Sequence, residues 1–204
     1  MTKFATVLFV MALEAEADGM FHAAAIPVLY CGVGKINAAA ALAAELTRYR
    51  IAGQSLPLVV NFGSVGSRTL PTGTLLECCR FLQRDMDVRA LGFELGRTPY
   101  DPLPSVLESE PRFTNLPSHS CGTGDSFATA TPELATDVVD MEAYALAKVC
   151  HSFGAAFACA KYVTDGADHA AADHWQANVH KAAELFLELA RGLRGDSVTA
   201  SSSN

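Results

Sequence analysis

The chain has 204 residues, half of them hydrophobic, with 22 acidic against 15 basic side chains and a formal charge of −7. That length and apolar fraction suit one α/β domain with a sizeable core. The acidic balance argues against a nucleic-acid partner, which demands a basic face, and no apolar run reaches the length of a membrane span.

The first residues, "MTKFATVLFVMALEAEAD", are basic and then apolar, as a signal peptide would be. They have no small-residue cleavage site and run into acids, so they read as a first strand. Further short apolar runs at 26–32, 56–63, 72–82, 136–141 and 156–164 are bounded by Gly, Pro or acids, as buried strands are. Helical spacing lies between them. "GKINAAAALAAELTRYR" is Ala-rich, and "MEAYALAKVCHSFG" puts Ala143, Leu146, Ala147 and Cys150 on one face and ends at a capping Gly154. "DHWQANVHKAAELFLELARGL" closes the fold as a helix. Residues 96–120 are Pro-rich and aperiodic, which predicts a functional or interface loop. The domain is expected over 1–195, with a polar, disordered tail at 196–204. Alternating strands and helices predict a sheet with helices on both faces.

The six cysteines fall mostly in apolar segments and form no CxxC pair, so they read as packing residues in a reducing, cytoplasmic chain. His169 and Asp173, four apart, share a face on a helix, but no ligand motif accompanies them and no metal is expected. Polar clusters gather where strands end: Glu14 and Glu16 after the first, Asn61, Ser64 and Gly66 after the third, Asp140 to Glu142 after the fifth, Thr164 and Asp165 after the sixth. Ligands of such sheets bind beyond the carboxyl ends of strands, which points to one shared site. "NFGSVGS" matches neither a Walker loop nor a dinucleotide fingerprint.

The order of these pieces carries a resemblance. "ALEAEA", "GVGKINAA", "NFGSVGS", "RDMDVRALGFELG", "GTGDSF", "VVDMEAYALAKVC" and "KYVTDGAD" resemble the methylthioadenosine/S-adenosylhomocysteine nucleosidases of the nucleoside phosphorylase superfamily, from Leu13 to about Asp168. The resemblance implies a single-domain, three-layer fold with a central mixed, twisted sheet. It implies hydrolysis of the bond between a purine and C1′ of a 5′-substituted ribose, with no cofactor. Asp165 matches the general acid that protonates the base at N7. Glu16 matches the acid that activates water, with Ser64 on the water side. Glu142 matches the acceptor of the 2′- and 3′-hydroxyls, Phe127 the base-stacking position and Met141 the floor beneath the sugar. Val65, Gly66 and Thr164 fall among the binding positions, and Val33, Val88, Leu91, Phe93 and Trp175 near those lining the 5′-alkylthio pocket. A second subunit completes that pocket in the family, so a homodimer is implied. The chain departs from the pattern in a shorter stretch between Glu16 and "GVGK", Val65 for a small Ala, Ser67 for Gly, Lys161 for Arg, Thr164 for Ser and Asp140 for Glu. These leave the size of the substrate open. Alternatives are a phosphorylase, a nucleosidase for futalosine or adenosylhopane-like substrates, and a nucleoside-binding protein without catalysis.

Overall fold

A strand sends alternate side chains to opposite faces, and the apolar runs use both. Phe9 and Val60 join a cluster with Phe21, Phe62 and Phe186. Their chain neighbours Val10 and Val59 join another with Leu42, Leu46 and Leu146. One sheet therefore buries both faces, and helices cover them.

The computed structural model describes residues 6–130 and 132–201. In chain order it contains β1 (Val7–Met11), α1 (Met20–Ala23), β2 (Val28–Tyr30), α2 (Lys35–Ile51), β3 (Leu58–Gly66) and β4 (Leu75–Gln83). Then come β5 (Val106–Glu108), β6 (Ser118–Thr123), β7 (Val138–Asp140), α3 (Ala143–Phe153), β8 (Phe157–Asp165), α4 (Ala171–Asn178) and α5 (Ala183–Ser201). The sheet runs β2-β1-β3-β7-β6-β4-β5, and β8 pairs with both β3 and β4. It is mixed: β8 lies parallel to β3 and antiparallel to β4. Helices α2 and α3 pack on one face, α1 and α5 on the other.

The expected helices and six expected strands form, with shifted ends. Three features differ. The stretch 96–120 contains the short edge strand β5 and the start of β6. Neither shows apolar alternation; β6 reads "SHSCGT" and takes its place through ladders to β4 and β7. The C-terminal helix is broken into α4 and α5, and the break is anchored where Asn178 Nδ2 donates to the Thr164 carbonyl of β8 at 2.8 Å. Of the tail at 196–204 expected to lack order, residues 196–201 continue α5, and residues 202–204 lie outside the described residues.

Site-bearing segments emerge from β1, β3, β7 and β8. Gly66 pairs with Val139 of β7 and Asp165 of β8, across an irregularity in the β3–β8 register. This bulge brings three strand ends together.

Gly154 ends α3 in the left-handed region, at φ 70°, and a Cβ there would meet no atom within 4 Å. Gly154→Ala should therefore cost only backbone strain, roughly 1–2 kcal/mol, read as a lowered urea midpoint with an unchanged m-value.

Candidate active site

Glu16 ends a 3-10 turn just beyond β1 and is buried. Its Oε2 accepts from the Ala12 and Leu13 amides at 3.0 and 3.1 Å. Its Oε1 accepts from the Ser64 amide and hydroxyl at 2.9 and 3.0 Å. Four donors thus fix this carboxylate between the ends of β1 and β3. The Ser64 hydroxyl oxygen also accepts from Trp175 Nε1 on α4, at 3.0 Å.

Below the cleft lies a buried ion pair, Lys161 Nζ to Asp140 Oδ2 at 3.0 Å. Asp140 further accepts from Thr123 Oγ1 at 2.6 Å and from the Ala143 amide, at the start of α3, at 2.8 Å. Burial pushes the Asp140 carboxyl up, but Lys161, Thr123 and the amide outweigh it and hold it below the usual range. Burial likewise opposes the Lys161 charge, and Asp140 more than restores it.

Glu142, at the N-terminus of α3, has different surroundings. Its Oε1 accepts from the Gly34 amide at 2.8 Å. Burial, then the neighbouring Asp140, push its carboxyl up to about 7, against Lys161 and the Gly34 N–H. Gly34 is held by its neighbour: the Lys35 amide donates to Asp125 Oδ1 at 2.7 Å, and Lys35 Nζ pairs with Asp85 at 2.6 Å.

Asp165 closes β8. Its Oδ1 accepts from the Ala167 amide and its Oδ2 from the Thr164 hydroxyl, both at 2.9 Å. A Cβ on Gly66 would sit 2.6 Å from Asp165 Oδ1, so only glycine leaves the carboxyl its place.

These groups surround one cleft of about 330 Å³. Glu16, Ser64, Val65, Gly66, Met141, Glu142, Thr164 and Asp165 line it, as do Val33, Phe127 and Trp175. Val88, Leu91 and Phe93 do not. They lie beyond β4, where Leu91 is 71% exposed and the Phe93 ring meets Tyr100 edge-on at 5.5 Å. Among the described residues no group of three or more His, Cys, Asp or Glu side chains is placed to hold a metal.

Residues 17–193 match the model of the phosphorylase superfamily. The chain belongs to the phosphorylase superfamily. Within it, the chain is 31% identical over 198 residues to the 5′-methylthioadenosine/S-adenosylhomocysteine nucleosidase of Bacillus subtilis, spanning 84% of this chain and 83% of that protein. It is 27% identical to the nucleosidase of Haemophilus ducreyi, over 92% and 84%. That places it in the nucleosidase family. A similar fold occurs in the Helicobacter pylori nucleosidase with butyl-thio-DADMe-Immucillin-A, at a TM-score of 0.78 and 19% identity, over 94% and 98% of the two chains. A Helicobacter pylori futalosine hydrolase mutant gives 0.76 and 18%, over 96% and 99%.

Against this superfamily background, three groups that shape the cleft were absent from the sequence-derived site. Lys161 had a visible signal, a lone cation inside the apolar strand "AFACAKYVT". Gly34 acts through its backbone, which no side-chain pattern reveals. Arg84 also lines the cleft, with its guanidinium donating to Ser126 Oγ at 3.1 Å and to the Gly124 and Ser126 carbonyls.

Removing Lys161 should strand the Asp140 carboxylate in the interior. Lys161→Met is expected to cost about 3–5 kcal/mol in urea unfolding, and adding Asp140→Asn to recover much of it. A loss below about 1 kcal/mol would show that the pair is not structural.

Proposed function

We propose that the protein hydrolyses the N-glycosidic bond of a 5′-substituted adenosine, with 5′-methylthioadenosine and S-adenosylhomocysteine as the substrate class. The observation that carries this reading is the set of three buried carboxylates, Glu16, Glu142 and Asp165, around one cleft. Asp165 gives its proton to N7 of the base, because a neutral adenine leaves far more readily than its anion. The C1′–N9 bond breaks as the water oxygen bonds to C1′, and Glu16 takes the water's proton. Positive charge develops on the ribose, as in other glycosyl transfers. Glu142 stabilises it and accepts from the ribose hydroxyls. Phe127 stacks on the base, since it lines the cleft and stays 43% exposed. Met141 supports the sugar.

Phosphate is the poorer nucleophile for this site. The position beside C1′ faces the Glu16 carboxylate, which repels an anion, and the terminal nitrogens of Arg84 donate to Gly124 and Ser126. A homodimer is supported by Tyr100, 92% exposed on the loop "ELGRTPYDP" (94–102), the segment that would complete a partner's 5′ pocket. A reducing, cytoplasmic location is supported by six free cysteines.

A panel of 5′-substituted adenosines, each with and without phosphate, tests the reading. Free adenine and a free reducing sugar are expected, at a rate indifferent to phosphate. Ribose 1-phosphate as the sugar product would replace hydrolysis by phosphorolysis. Asp165→Asn should lower turnover about 10²–10⁴-fold while substrate still binds; near-normal turnover would remove Asp165 from the mechanism.

A further inference from the structure

The hydrogen bonds around Glu16 set a condition on its use as a base. A carboxylate offers about four acceptor positions, and in Glu16 the Ala12, Leu13 and Ser64 amides and the Ser64 hydroxyl donate to them. A base so occupied takes a proton from water only after one donor turns away. The three amides are fixed by the backbone of β3 and of the turn after β1. The Ser64 hydroxyl alone can rotate.

What opposes that rotation is Trp175, the single tryptophan of the chain. An indole N–H only donates, so the Ser64 oxygen accepts this bond at 3.0 Å while its own proton goes to Glu16. The indole thereby removes one of the directions in which the hydroxyl could point. Trp175 is partly buried on the exposed helix α4, and it lines the cleft.

We propose that Trp175 is a positioning residue that acts through Ser64, holding the hydroxyl on Glu16 and so restraining the base until water displaces it. The role rests on the nucleosidase reading above. It differs from a simple contact with the 5′ substituent, because its effect runs through Ser64 and vanishes with the hydroxyl.

Two measurements test it. The tie itself is read from the emission of the only tryptophan in the ligand-free protein: Ser64→Ala should shift the spectrum, and an unchanged spectrum would overturn the proposal. The role is read from single-turnover release of adenine from 5′-methylthioadenosine. Trp175→Phe keeps a ring but loses the N–H, and is expected to raise that rate about two- to tenfold, the worth of one hydrogen bond. In a Ser64→Ala background the same change should leave the rate unaltered. A lower or unchanged rate in the first case, or an equal effect in both backgrounds, would overturn the role while leaving the hydrolase intact. A shifted spectrum with no adenine from the wild-type protein would instead overturn the nucleosidase reading and this role together.

Discussion

The ion pair between Lys161 and Asp140 is the constraint that joins the strand and helix ends carrying Met141, Glu142 and Asp165. Both side chains are almost wholly buried, and each opposes the cost that burial puts on the other's charge. Such a pair adds little net stability over well-packed apolar residues, since desolvation offsets the attraction. Its value is positional. Asp140 joins β7, β6 and the first turn of α3 through Thr123 and the Ala143 amide, while Lys161 ties it to β8. Three elements that carry Glu142, Met141 and Asp165 are thus locked at one point.

Absent side chains shape the same region. A Cβ on Gly63 would lie 3.1 Å from both Glu16 Oε1 and Lys161 Nζ. A Cβ on Gly66 would strike Asp165. The glycines of "NFGSVGS" therefore make room for three charged groups to approach one strand, rather than cradling a phosphate. Neither carries a positive φ, so the demand is for space and not for an unusual backbone.

Much of this was legible in the residues. Buried strands announce themselves as short apolar runs, and the helix of Ala143–Phe153 as an apolar stripe ending in glycine. The acids at strand ends, Glu16, Glu142 and Asp165, line the cleft. What stayed hidden was hidden for physical reasons. Strand β6 is polar and earns its ladder from neighbours distant in sequence. The break between α4 and α5 depends on the tertiary bond from Asn178 to β8. Asp140 and Glu142 looked like a pair, yet they face opposite demands: one is ionised against Lys161, the other is raised by burial and by that same Asp140. Sequence spacing cannot distinguish two acids whose difference lies in their partners.

The most direct measurement is a carboxyl carbon NMR titration of Glu142 in the ligand-free protein and in Asp140→Asn. A midpoint of about 7 is expected in the wild-type chain, falling in the variant as the neighbouring negative charge is removed and Lys161 is freed toward Glu142. An ordinary carboxylate midpoint in the wild-type chain, unchanged by Asp140→Asn, would contradict the charge arrangement on which the site is built.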